Sequence, residues 1–315
     1  MRILITGGAG FIGSHTAELL LAQGLDVTIY DDLSTGKRAN VPAGATLVQG
    51  DVRDFSALAI AMRGCDAVLH LAAVVSVPMS IQRPHFAHEV NATGTLNALE
   101  AARYLGIDRV VIASSAAVYG ASKQLPLAEA LPPEPLSPYA AQKWLAEAYA
   151  ATYAALHGMS PICLRYFNVY GPRQDPASPY SGVLSRFIGA ALAREQSTLH
   201  GDGRQTRDFI YVGDVARANV RALLAPDPAP GLVFNVGTGR AVSVAEAYAL
   251  IARLTGAPPA GRAPARAGDV PHSRADVGRA RTLLGFAPCT SFEAGLEATL
   301  AWAQQRLVPT LPMSA

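Results

Sequence analysis

Short runs of apolar residues alternate with longer stretches of helical periodicity through the first half of the chain. Residues 3–6, 27–31, 46–49, 67–71, 109–114 and 161–166 are short, mainly apolar runs that read as strands. Between them, residues 12–23, 55–62, 90–105 and 139–157 carry the spacing of helices with one apolar face. Strands that are apolar throughout, each followed by a helix, predict a parallel sheet covered on both faces and wound by right-handed crossovers. The rhythm loosens after Gly171, where Pro172, Pro176, Pro179 and Gly182 crowd together. Residues 232–236 form one more strand candidate that returns to the sheet, 258–266 read as a loop, and 280–284 and 292–304 read as closing helices. The tail from Pro309 is expected to fray. The pattern therefore predicts a main α/β lobe over residues 1–171 and a smaller mixed lobe over most of 172–315. The smaller lobe should cover the carboxyl ends of the strands, where open α/β sheets bind ligands.

Composition narrows the function classes. Half of the 315 residues are hydrophobic and 16% are charged, which excludes a disordered chain. A formal net charge of +2 gives no electrostatic footprint for nucleic acid. Cys65, Cys163 and Cys289 are odd in number and widely spaced, so neither a disulfide framework nor a zinc knuckle is expected. The opening apolar run is too short for a secretory signal, and no stretch approaches the ~18 apolar residues of a membrane span. A cytoplasmic location is the expectation. The seven histidines are scattered, and only His85 and His88 share helical spacing, so no metal site is expected.

The turn after the first strand carries the first chemical signal. Gly7, Gly10 and Gly13 stand at G-x-x-G-x-x-G spacing and lead into a helix. Glycines there allow a tight turn and a close approach of backbone to a pyrophosphate, and the helix N-terminus offers N–H groups to the phosphates. This is the signature of a Rossmann-type doubly wound sheet. Asp31 ends the second strand 18 residues after Gly13, placed to accept hydrogen bonds from an adenosine ribose and to repel a 2′-phosphate. NAD is favoured over NADP, although Lys37 and Arg38 lie nearby. Asp51 and Val52 end the third strand, where Asp51 either meets the adenine edge or caps the helix that follows.

The second signal lies in the helix expected from residue 139. Ser137 is placed to cap it and Pro138 suits its first turn. Tyr139 and Lys143 then fall at i and i+4 on one face. A phenol is a poor base at neutral pH, but a neighbouring ammonium favours its ionised form. Ser114 and Ser115 end a strand about 25 residues upstream, and strand ends meet helix starts at the cofactor cleft.

Together, Gly7–Gly13, Ser115 ahead of Val118-Tyr119-Gly120, Tyr139-x-x-x-Lys143 and Arg165-Tyr166-Phe167-Asn168 resemble the extended short-chain dehydrogenase/reductase family, in its UDP-sugar 4-epimerase branch. The resemblance covers nearly the whole chain. It implies that Tyr139 is the catalytic base, that Lys143 binds the nicotinamide ribose and that Ser115 assists. It adds Phe11, Ile12, Asp32, Leu71, Ala72, Ala73 and Tyr166 to the cofactor set, with Asn91 supporting the site. On the substrate side it implies Ser76, Asn168, Val183, Arg207, Arg266, Asp269 and Ser273, with Arg207 and Arg266 on the diphosphate of a UDP-sugar and Asp269 on its ribose. Paired arginines suit that task, because a guanidinium forks onto phosphate oxygens. A homodimer built on two helices is implied by the same analogy.

Related 4,6-dehydratases place an Asp-Glu pair directly after the serine or threonine of this motif. Here Ala116 and Ala117 stand there and carry no proton, which argues for an epimerase. Ser273 stands where a small residue implies tolerance of N-acetyl groups, and Val75 replaces a lysine found in some hexose epimerases. A UDP-glucuronate epimerase, a dehydratase or decarboxylase, and a non-enzymatic NAD sensor remain as alternatives at this stage. The sensor would predict loss of Tyr139 or Lys143, and both are present.

Overall fold

The structure, a computed structural model, describes residues 1–175, 182–226, 232–265 and 270–307. Six strands alternate with helices through the first half. They are β1 (Arg2–Thr6), β2 (Asp26–Asp31), β3 (Thr46–Gln49), β4 (Ala67–His70), β5 (Arg109–Ser115) and β6 (Ile162–Tyr166). The helices are α1 (Phe11–Ala22), α2 (Phe55–Met62), α3 (Val77–Gln82), α4 (Pro84–His88), α5 (Gly94–Tyr104) and α6 (Pro138–His157). The second half adds β7 (Asn168–Tyr170), β8 (Thr198–His200), β9 (Thr206–Arg207), β10 (Phe209–Tyr211), β11 (Leu232–Val236), β12 (Val242–Ser243) and β13 (Gly261–Ala263). Its helices are α7 (Val183–Leu192), α8 (Val212–Leu224), α9 (Val244–Thr255), α10 (Gly278–Leu283) and α11 (Phe292–Leu307).

Seven strands form one parallel sheet in the order β11-β6-β5-β4-β1-β2-β3. The order reverses between β1 and β4, and ligands of doubly wound sheets sit at that switch. Side chains alternate across the sheet, so Ile3 and Ile5 pack with Ala17 and Leu20 of α1 and Val215 and Ala218 of α8. Leu4 faces the other way, onto Leu58 and Met62 of α2 and Leu99 of α5. Both faces of β1 are buried, which explains why its sequence is an apolar run. A third apolar cluster joins α7, α9 and α11 through Phe187, Tyr248, Ile251 and Leu296 and forms the smaller lobe.

Three expectations change. Helix α8 and the segment around Ala280 and Phe286, although late in the chain, pack on the main sheet together with the expected returning strand β11. The expected loop at 258–266 contains β13, which pairs with β8 across 63 residues. The helix expected over 90–105 opens with a π-turn over residues 89–93 that leads into α5. Among the described residues no helix is long and apolar enough to cross a membrane.

Candidate functional site

The turn after β1 has the shape expected of a pyrophosphate cradle. Gly7 adopts φ +68°, and a Cβ there would lie 2.8 Å from the Ala72 nitrogen. A Cβ on Gly13 would lie 2.4 Å from the Gly7 carbonyl oxygen. Gly10 is the N-cap of α1 and offers no side-chain cap, so the first N–H groups of the helix, including those of Phe11 and Ile12, are left to a ligand. The Asp31 carboxylate is buried and accepts from Ala9 N (2.9 Å) and Leu33 N (2.8 Å), with lone pairs left for a ribose. Burial pushes this carboxyl up, against the pull of those two N–H groups. Asp32 is exposed and accepts from Ser34. Leu71 and Ala72 are anchored through their N–H groups to Thr6, and with Ala73 they form the segment facing the glycine turn. These features fit NAD: a side-chain-free turn, an uncapped helix start and a carboxylate at the end of β2.

Asp51 is not the helix cap. Asp54 caps α2 by accepting from Ala57 N, while Asp51 is held by the guanidinium of Arg53, which draws its carboxyl below the usual range. Val52 beside it is buried against Gly94, where an added Cβ would lie 2.7 Å from the valine Cγ2.

The structure brings Ser115, Tyr139 and Lys143 together at the start of α6. Ser137 caps α6 by accepting from Ala140 N at 3.1 Å, and Pro138 occupies its first turn. Tyr139 is buried, which pushes its phenol up, while the neighbouring Ser115 side chain pulls it back. The Lys143 Nζ lies 5.9 Å from the centre of the Tyr139 ring and donates to the Ala113 carbonyl at 2.8 Å. Burial lowers the ammonium to about 8. Asn91 is buried and clasps Val74 through both its amide groups, and it donates to Gln142 at 2.8 Å, one residue before Lys143. It thereby ties the Val74 backbone to α6. The Ser80 hydroxyl accepts from Tyr139 N at 3.1 Å, fixing the start of α6.

Sequence reasoning missed what lies under this face. Glu147, one turn beyond Lys143, accepts from Ser114 and pairs with Arg165 through two hydrogen bonds of 2.8 and 2.7 Å. The group is buried and ties β5, β6 and α6 together just below Ser115 and Tyr139. Its signal was the i, i+4 continuation from Lys143.

The substrate residues divide. Asn168, Val183 and Arg207 line one cavity of about 330 Å³ that also holds Arg186, His200 and Gln205. Of these, Arg186 and His200 carry no local signal in the sequence. Ser76 instead caps α3, its hydroxyl accepting from Met79 N at 3.0 Å, and it is buried. The Tyr166 hydroxyl donates to Asn219 on α8, so that side chain points its polar end into the helix layer. Ser273 donates its N–H to Thr206 O beside Arg207 but is absent from the cavity wall. Arg266 and Asp269 lie outside the described residues. Among the described residues no group of three or more metal-ligating side chains occurs.

The chain matches the NAD dependent epimerase/dehydratase family over residues 3–237. It is 40% identical over 308 residues to a UDP-glucose 4-epimerase of Mycolicibacterium smegmatis, covering 95% of this chain and 97% of that one. Among solved structures it superposes with TM-score 0.93 and 36% identity on a UDP-N-acetylglucosamine 4-epimerase from Methanobrevibacter ruminantium in complex with UDP-N-acetylmuramic acid, covering 97% and 99% of the two chains. It superposes with TM-score 0.89 and 40% identity on a Thermus thermophilus UDP-glucose 4-epimerase in complex with NAD, covering 96% and 99%.

Proposed function

Because the chain belongs to the NAD dependent epimerase/dehydratase family, we propose that it is an NAD-dependent UDP-sugar 4-epimerase that interconverts UDP-glucose and UDP-galactose through a transient 4-keto sugar. The observation that carries this reading is the grouping of buried Tyr139 and Lys143 with half-buried Ser115, which Ala116 and Ala117 follow, beside a cavity that holds Arg207.

The cofactor lobe supplies the glycine turn, Asp31 and Lys143, and the smaller lobe supplies the nucleotide cavity. When bound, NAD serves as the acceptor and donor of the hydride at the sugar C4. Tyr139 takes the proton of the C4 hydroxyl through its phenol oxygen, and Ser115 hydrogen-bonds the same sugar oxygen. The Lys143 charge stabilises the phenolate that this requires. Arg207 and Asn168 hold the diphosphate, so the hexose can turn while its nucleotide stays anchored. Ala116 and Ala117 offer no acid to eliminate water, so the keto sugar is returned rather than dehydrated.

Ser273, next to the Arg207 strand, supports acceptance of UDP-N-acetylhexosamines. Tyr104 and Trp144, exposed on α5 and α6, support pairing of these helices with a second copy of the chain. The three cysteines are unpaired, in keeping with a reducing compartment. Incubation of the purified protein with UDP-glucose, UDP-galactose, both UDP-N-acetylhexosamines and UDP-glucuronate, read by proton NMR, tests the reading. Interconversion of a C4 pair without added NAD is the expected result. No change in any pair, with NAD bound, overturns it.

A further inference from the structure

Three polar side chains in the first two turns of α6 are buried: Tyr139, Gln142 and Lys143. They stand at i, i+3 and i+4 and so share one face of the helix. The reaction proposed above uses the first and the last. Gln142 is left over, although it is only 5% exposed. Its amide oxygen accepts from Asn91 Nδ2 at 2.8 Å. Asn91 is 2% exposed, and its whole amide is engaged. Its Oδ1 accepts from Val74 N at 2.7 Å, and its two Nδ2 hydrogens go to Val74 O at 3.0 Å and to Gln142. Asn91 stands in the π-turn ahead of α5, and such turns within helices often mark functional sites.

The bridge joins two walls of the cofactor cleft. On one side, β4 ends at His70, and the segment beyond it is held by side chains: Ala72 by the Thr6 hydroxyl and Val74 by the Asn91 amide. This segment faces the glycine turn, where a Cβ on Gly7 would lie 2.8 Å from the Ala72 nitrogen. On the other side, Lys143 follows Gln142 directly and donates to Ala113 O on β5. The residue before Ala113, Ile112, pairs with His70 at the end of β4. Both walls therefore reach the same end of the sheet, and Gln142 is the side chain through which Asn91 joins them.

We propose that Gln142 is a positioning residue: through Asn91 it holds the Val74 backbone at a fixed spacing from Lys143, and so helps the cleft retain NAD. The assignment rests on the cofactor site described above. Without the Gln142 oxygen, a buried amide hydrogen of Asn91 loses its partner, which is unfavourable, and the segment is free to shift away from α6.

The test is the exchange of bound NAD. Protein loaded with radiolabelled NAD is diluted into excess unlabelled NAD, and the retained label is followed in the wild type, Gln142→Met and Gln142→Glu. Methionine conserves the volume and removes the oxygen, so exchange should quicken about tenfold. Glutamate keeps an oxygen at the same place and should exchange close to the wild-type rate. Gln142→Asn, one methylene shorter, should also quicken exchange and serves the same comparison if methionine is not tolerated. In an Asn91→Ala background Gln142→Met should add nothing, because the bridge is already broken. A side chain that only fills space would be replaced by methionine without effect on exchange. Wild-type exchange in Gln142→Met, exchange in Gln142→Glu as fast as in Gln142→Met, or a full further acceleration in the Asn91→Ala background would overturn the assignment. Should exchange behave as expected while no UDP-sugar is epimerised, the substrate reading fails and the assignment of Gln142 stands.

Discussion

Replacing Lys143 by methionine isolates the electrostatic support given to Tyr139. The ammonium is buried, 5.9 Å from the centre of the phenol ring, and is lowered by that burial only to about 8, so it is charged at neutral pH. At an effective dielectric of about 20, a unit charge at about 6 Å stabilises a phenolate by about 3 kcal/mol. That corresponds to about two pKa units, with the sign of an ammonium favouring the ionised phenol. Methionine keeps the length of the side chain and removes the charge. Its phenolate population at pH 7 should fall about a hundredfold. The assay is the pH dependence of UDP-glucose turnover, with NAD present at saturation so that any loss of cofactor affinity is offset. The rising limb of the Lys143→Met profile should move about two pH units to the alkaline side. The gap between the two proteins should be widest below about pH 8, where Lys143 is charged, and narrow above it. A variant whose rate is reduced by the same factor at every pH would refute the electrostatic role and leave Lys143 as a cofactor anchor alone.

Tyr139→Phe should lower kcat by ~10²–10⁴, the usual worth of a positioned base, while bound NAD remains; retention of more than about a tenth of the rate would count against Tyr139 as the base. Gly13→Ala sets a Cβ 2.4 Å from the Gly7 carbonyl oxygen, where both groups are backbone, so the purified variant should lose NAD, measured by release on denaturation and chromatography; full NAD content would contradict the cradle. His70 is buried between the hydroxyls of Thr6 and Thr95, and burial lowers its imidazole to about 3. Its folded value lies below its unfolded one, so its contribution is complete above about pH 6.5 and is lost as pH falls toward 3, by about 2 kcal/mol at pH 5. Urea midpoints at pH 7 and pH 5 should therefore separate less in His70→Gln than in the wild type; an equal separation would show that His70 is not the group titrating.

The main sheet was legible because its strands are buried on both faces, which writes each one into the chain as an apolar run. The cofactor turn and the Tyr139–Lys143 pair were legible for a different reason: their chemistry requires fixed spacing within one turn or one helix. Of the two roles open to Asp51, the cap of α2 falls to Asp54, three residues on. The Ser76 hydroxyl is engaged locally, at the start of α3. The smaller lobe was poorly legible because its geometry depends on distant pairings. Neither Thr198–His200 nor Gly261–Ala263 is long enough to read as a strand alone, and each is defined by the other. The Ser114–Glu147–Arg165 group shows the same limit, since three separate elements meet to satisfy one buried carboxylate.

The central claim is that the hydride removed from C4 returns to C4 without passing to solvent. UDP-glucose labelled with deuterium at C4, incubated with the enzyme in ordinary water, tests this directly by NMR. The account predicts UDP-galactose that retains the deuterium at C4. Product with hydrogen from water at C4 would mean that the carbon is deprotonated and reprotonated, and would contradict it.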